Sequence, residues 1–139
     1  GEGPQKDIAL RLCNSLQLHD KVLFLGRVSF SSMLALYSIA DIVFDSSYFG
    51  NGTTTLEAFC FGKPVISIAG IKRSVINGFN GFMVKAGDYK SLAHYIIELL
   101  SNDRLYSMIS QNARRTFEVM FSLDRRIDIL TRIVRFLIR

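Results

Sequence analysis

Residues 44–70 constrain the fold of this chain more than any other stretch. They show the pattern of a strand, a glycine turn, a helix and a second strand in close succession. The apolar run 42–44 is typical of a short strand buried in a parallel sheet, and the mostly apolar stretch 65–68 is predicted as the next strand. Gly62, followed closely by Pro64, marks the end of the intervening helix. A parallel α/β sheet with right-handed crossovers is therefore expected.

The glycine turn itself is a candidate binding site. Gly50, Asn51 and Gly52 tolerate positive φ and allow a ligand to approach the backbone. The turn leads into a helix that begins near Thr53, and anions bind at such places because free N–H groups and the helix dipole point there. The same turn also serves as a plain connector in many proteins, and it is neither a Walker A loop nor a G-x-G-x-x-G fingerprint. Spacing alone leaves both interpretations open.

The rest of the chain continues the alternation of helices and strands. A helix is predicted over about 6–18, a strand over 22–25, and a second helix that Ser31 or Ser32 caps. The last strand covers 81–85, and Asp88 caps the helix that follows it. Two further helices are predicted over about 103–120 and 123–138. With 139 residues, the chain has room for a single domain, 1–139.

Composition and charge restrict the partners. The chain is 49% hydrophobic with a net charge of +5, which suits an anionic small ligand or a membrane surface but is too dispersed to indicate nucleic acid. The last helix is basic and amphipathic, so it either docks on another domain or contacts a membrane surface. No apolar run is long enough to span a bilayer and no signal peptide is evident. A cytoplasmic location is expected, with peripheral contact at the inner membrane surface left open.

Five motifs occur in an order that resembles a known family. They lie at residues 23–28, 34–41, 50–58, 62–66 and 77–84. Together they resemble the C-terminal, nucleotide-sugar-binding half of GT-B fold glycosyltransferases, most closely the retaining enzymes of group 1, or family 4. The loop 45–55 is also similar to that of protein O-GlcNAc transferases, which share the fold but invert stereochemistry.

The resemblance implies a Rossmann-like parallel sheet that lacks its first strands. In the family the sheet order is three-two-one-four-five-six, and two strands precede a Gly-x-Gly-Pro like the one at the start of this chain. The chain would then be part of a longer polypeptide whose N-terminal domain holds the acceptor. Strand 22–25 would lose its link to strand 42–44, so apolar edges would be exposed or another chain would complete the sheet.

The resemblance also implies a set of donor-binding residues. Residues Gly50, Asn51, Gly52, Thr53 and Thr54 would line the phosphates and sugar of a UDP- or GDP-sugar. Glu57 would accept both ribose hydroxyls. No metal or other cofactor is expected, because backbone N–H groups can hold the diphosphate.

Two positions depart from the family pattern. The first is Arg73, where the family usually has a glutamate. Lys72 and Arg73 are candidate phosphate contacts, or they form a solvated basic turn. Phe49 occupies the place of the first of two glutamates and cannot accept a hydrogen bond. No catalytic residue is assigned, and this donor-binding half of a glycosyltransferase would not be active alone. The prediction is a donor-binding domain, with a non-catalytic GT-B-like partner module or a nucleotide-sugar epimerase as alternatives.

Overall fold

The computed structural model describes residues 2–46, 52–70 and 74–138. The chain forms two compact units, Gly1–Leu36 and Tyr37–Arg139. Among the described residues, the first unit holds one helix and most of another, and the second holds the sheet and the remaining helices.

The first unit contains α1 (Lys6–Ser15) and the beginning of α2 (Phe30–Ile39). Helix α1 ends before the predicted residue 18, because Gln17 adopts a left-handed conformation with φ of 55°. Ser29, not Ser31 or Ser32, caps α2: its Oγ accepts a hydrogen bond from the Ser32 N–H at 3.1 Å. The helices were predicted in the right places, while their ends depend on local hydrogen bonds.

The strand predicted over 22–25 is wrong. These residues belong to no ladder, and Leu23 leaves 80% of its surface exposed. A strand is held by the hydrogen bonds of its neighbour, and the described part of the first unit contains no second strand. The apolar pattern of residues 22–25 is typical of a strand, but a strand also needs a neighbouring strand to pair with, and the pattern does not show whether one is present.

The second unit confirms the predicted parallel α/β architecture. Its described residues form three strands, in the spatial order β1 (Val43–Asp45), β2 (Val65–Ile68) and β3 (Gly81–Val84), and both pairs are parallel. Its other elements are α3 (Thr53–Cys60), α4 (Tyr89–Ser101), α5 (Asp103–Thr116), a π-helical turn (Phe117–Phe121) and α6 (Leu123–Leu137). The predicted helix 103–120 is therefore α-helical only to Thr116, after which the Ser122 N–H bonds to the Phe117 carbonyl oxygen, five residues back.

The sheet buries a separate apolar cluster on each face. Successive residues of a strand point to opposite faces, so Val65 and Ile66 of the central strand enter different clusters. One cluster consists of Ala58, Phe59, Val65, Val75 and Ala113. The other consists of Ile66, Phe82, Val84, Leu99 and Ile109. Helix α3 thus packs on one face and α4 on the other, and α5 contributes to both.

The end of α3 and the start of α4 follow the predicted signals. Gly62 has a φ of 64° just after α3, and Asp88 caps α4 through a 3.0 Å hydrogen bond from the Ser91 N–H. Helix α6 matches the predicted 123–138 to within one residue, and none of its residues is buried. No helix in the described part of the chain is long and apolar enough to cross a membrane.

Candidate functional site

Strand β1 and helix α3 bring the candidate site to the carboxyl edge of the sheet. Strand β1 ends at Asp45, and α3 begins at Thr53 after Gly52, which is buried and has a φ of 73°. A residue with a side chain is strained in this left-handed conformation, which explains the glycine. The first-turn N–H groups of a helix have no acceptor within the helix. Those of α3 therefore face the edge where ligands bind to open α/β sheets.

The predicted donor-binding residues fall into two groups. Gly52, Thr53, Thr54 and Glu57 lie together on the first turns of α3. Thr53 is exposed, and Thr54 and Glu57 are half-buried. The other predicted positions, Gly50, Asn51, Lys72 and Arg73, lie outside the described residues, as does Phe49. Their roles remain predictions.

Tyr37, near the end of α2, contacts Glu57 directly. Its hydroxyl donates a 2.9 Å hydrogen bond to Glu57 Oε2, and its ring stacks on Phe61 with centroids 5.9 Å apart. Burial, together with the hydrogen bond and the charge of Glu57, raises the pKa of Tyr37 to about 12, although a hydrogen bond with the Thr54 side chain lowers it in part. The phenol therefore stays protonated at physiological pH and points its proton at the carboxylate.

A buried polar pair joins the end of β1 to the start of α3. The Thr55 hydroxyl donates a 2.8 Å hydrogen bond to Asp45 Oδ2, with Thr55 fully buried and Asp45 only 3% exposed. Ser67 of β2 stands opposite Asp45 in the parallel register and is also buried. Its Oγ has no hydrogen-bond partner within the described part of the chain. The pair ties the first turn of α3 to the end of β1.

The loop before β3 approaches the same place. A Cβ added at Gly52 would lie 3.9 Å from the Ser74 Oγ. Asn80 holds this loop: its side chain donates to the Ser74 carbonyl oxygen and to Thr116 Oγ1, and accepts from the Ile76 N–H at 2.7 Å. Ser74 directly follows Lys72 and Arg73 in the chain. Ser74, the residue after these two predicted phosphate contacts in the sequence, therefore lies beside the N-terminus of α3.

Sequence reasoning missed Tyr37, Asp45 and Thr55 as parts of the site. Tyr37 is 20 residues from Glu57 in the sequence, and no spacing rule links them. Asp45 at the end of a strand predicted to be buried was the one available signal, because a buried carboxylate needs a hydrogen-bonding partner. Residues 2–46, 52–70 and 74–138 contain no group of three His, Cys, Asp or Glu side chains that could hold a metal ion.

Comparisons with known proteins agree with this geometry. The model of a family described as Glycosyl transferases group 1 matches residues 1–116. The D-inositol 3-phosphate glycosyltransferase of Mycolicibacterium smegmatis is 32% identical over 91% of this chain and 29% of its own length. This chain spans about a third of the length of the curated relatives that it matches.

Solved structures show the same fold. The C-terminal domain of a group 1 family glycosyl transferase from Francisella tularensis superposes with a TM-score of 0.79 at 21% identity, covering 87% of this chain and 66% of that one. Anabaena HepE, solved in complex with UDP-glucose, superposes with a TM-score of 0.79 at 25% identity, covering 98% of this chain and 38% of that one. The predicted α/β fold of a GT-B C-terminal domain is therefore confirmed.

Proposed function

We infer the function from the premise that this chain belongs to the group 1 family of glycosyl transferases. We propose that the chain is the donor-binding domain of a glycosyltransferase that uses a nucleotide-diphosphate sugar. The arrangement of Glu57 one turn into α3, with the N-terminus of that helix at the carboxyl edge of the sheet, carries the proposal. Anabaena HepE was solved with UDP-glucose, so UDP is the first nucleotide to test and GDP the second.

The chemistry needs a held diphosphate, a stabilised leaving charge and an oriented ribose. Backbone N–H groups at the start of α3 bind the diphosphate, with Gly50, Asn51, Gly52, Thr53 and Thr54 lining the phosphate and sugar. The positive charges of Lys72 and Arg73 help to neutralise the phosphates. The Glu57 carboxylate accepts the ribose hydroxyls. No metal is required in this arrangement, because the helix N-terminus supplies the donors.

The acceptor is held by another part of the polypeptide or by a partner chain. This chain covers only about a third of its curated relatives, so the acceptor site lies in a segment outside it. Helix α6 docks on that segment, because it presents many exposed apolar side chains and buries none. Peripheral contact of the same face with the inner membrane surface of a cytoplasmic enzyme is the alternative.

A binding screen tests the donor site. Ligand-observed NMR against UDP, GDP and ADP compares the wild-type complete polypeptide with Glu57→Ala and with Glu98→Ala, which changes a half-buried glutamate on α4. We expect one nucleotide to bind, about 10- to 100-fold more weakly in Glu57→Ala, since hydrogen bonds to a charged group contribute about 1.5–3 kcal/mol. Glu98→Ala should bind as the wild type does. Equal affinity of all three proteins would contradict the assignment of Glu57.

A turnover assay separates the enzyme from its alternatives. Sugar transfer by the complete polypeptide, with Phe49 as it stands, supports a glycosyltransferase. Donor epimerisation without an acceptor identifies an epimerase on the same fold. Donor binding without turnover, with transfer gained in Phe49→Glu, indicates a non-catalytic module that pairs with an active partner.

A further inference from the structure

Tyr37 contacts α3 and the residue that follows it. The ring stacks on Phe61 just past the end of the helix, with an interplanar angle of 20°, and the hydroxyl reaches Glu57 Oε2 at 2.9 Å. The ring also packs against the apolar cluster around Phe59, which is fully buried. A tyrosine anchored along its ring has little freedom to move, so its hydroxyl forms a fixed donor that faces the Glu57 carboxylate.

We propose that Tyr37 is a positioning residue that holds the Glu57 carboxylate in the orientation in which it accepts the donor ribose hydroxyls. This inference rests on the proposed function, because it assigns a role in nucleotide binding to a residue that touches the nucleotide only through Glu57. Within the described part of the chain, Oε2 is the Glu57 oxygen that carries a hydrogen bond. Each carboxylate oxygen has two acceptor positions, so Oε1 and the second position of Oε2 can both receive ribose hydroxyls.

The gain from such positioning is one of preorganisation. A glutamate that must be ordered at the moment of binding loses side-chain entropy that an already ordered one has lost on folding. The Tyr37 phenol is protonated at neutral pH, and burial with Glu57 raises its pKa further, to about 12, so the hydroxyl is a donor to the carboxylate. Ordering one side chain changes affinity by about 3- to 10-fold.

The test measures how much a ribose hydroxyl contributes to binding when Tyr37 is intact and when its hydroxyl is removed. The probes are UDP or GDP, whichever binds the wild-type complete polypeptide, and the 2′-deoxy form of the same nucleotide. Tyr37→Phe keeps the ring stack and removes the hydroxyl. Tyr106→Phe is the matched control, since the Tyr106 hydroxyl makes a bond of similar length, 3.0 Å, to the Asp41 carbonyl oxygen.

We expect Tyr37→Phe to bind the ribonucleotide about 3- to 10-fold more weakly. The loss of affinity on removing the 2′-hydroxyl should also shrink by about the same factor, because the Glu57 carboxylate is no longer preorganised to accept that hydroxyl. Tyr106→Phe should change neither value. A merely structural role of Tyr37 would lower the melting temperature and leave the 2′-hydroxyl contribution unchanged, and that result would overturn the inference.

A double substitution guards against a folding effect. In the Glu57→Ala background, adding Tyr37→Phe should leave nucleotide affinity unchanged, whereas a general disturbance of the site would weaken it again. Failure of the wild-type protein to bind any nucleotide would refute the proposed donor site itself. Normal wild-type binding with an unchanged 2′-hydroxyl contribution in Tyr37→Phe would refute the role of Tyr37 alone.

Discussion

Helices α4 and α6 have the same design and different surroundings. Each begins with a side-chain cap, Asp88 for α4 and Ser122 for α6, and each carries an apolar face. Helix α4 places Leu99 in the core with 1% of its surface exposed, against Phe82 and Val84 of β3. Helix α6 buries none of its residues.

The difference shows that amphipathic periodicity predicts a helix but not what covers it. The apolar face of α4 packs against side chains of β3 that point towards it. Helix α6 depends on local interactions, such as the cap and the exposed ion pair of Arg132 with Asp128 at 3.1 Å. Such pairs contribute about 0.2–0.5 kcal/mol each, whereas a fully buried leucine contributes about 1.5–3 kcal/mol. Tertiary packing therefore stabilises α4 far more than α6.

Leu99→Ala should cause the largest loss of stability. It removes a buried side chain from the cluster under α4 and leaves a cavity, so we expect a loss of about 2–5 kcal/mol in the free energy of unfolding. Urea denaturation followed by circular dichroism measures it. A loss below about 1 kcal/mol would show that α4 does not pack on the sheet as described.

The same contrast applies to polar groups. Thr55→Val keeps the shape of the side chain but removes the hydroxyl that donates to the buried Asp45 carboxylate, so we expect a loss of about 1–3 kcal/mol. Arg132→Ala, which removes an exposed ion pair of α6, should cost no more than about 0.5 kcal/mol. The two variants are compared by urea denaturation. Equal losses would contradict the difference in burial.

The cap of α4 should make part of its stability depend on pH. Hydrogen bonds from the Ser91 hydroxyl and N–H lower the pKa of Asp88 below its ordinary value. A lowered folded-state pKa adds stability above the ordinary pKa, and that stability disappears as the pH falls through the lowered value. The advantage of the wild type over Asp88→Asn in melting temperature should therefore be present at neutral pH and diminish in acid. A difference that does not depend on pH would rule out this linkage.

The elements that depend on neighbours in sequence were predicted well. Strand β2, the end of α3 at Gly62 and the cap at Asp88 follow from a few adjacent residues, and the structure has all three. The contacts that position Glu57 depend on distant residues. Tyr37 reaches it across 20 positions. Local propensity carries no information on such pairs, because they form only when the fold brings Tyr37, β1 and α3 together.

The predicted strand 22–25 failed for a related reason. Its residues have strand character, but a ladder needs a second strand beside it, and pairing is a property of two segments. Helix α6 illustrates the same limit from the other side, since its apolar face was predicted and its covering was left open between a domain and a membrane. Sequence patterns describe what a segment can do, and the structure shows which segments meet.

Leu130→Ala should have the smallest effect and is the direct counterpart of Leu99→Ala. Leu130 lies on α6 with 60% of its surface exposed, and alanine forms helices at least as well as leucine. In residues 1–139 alone, without the segment proposed to dock on α6, we expect the free energy of unfolding to change by less than about 0.5 kcal/mol. Both variants replace a helical leucine by alanine and are measured by the same urea titration. The difference between their losses of stability therefore reports the surroundings of the two leucines. A loss above about 1.5 kcal/mol in residues 1–139 alone would show that a second copy of the chain covers α6, and the loss would then depend on protein concentration.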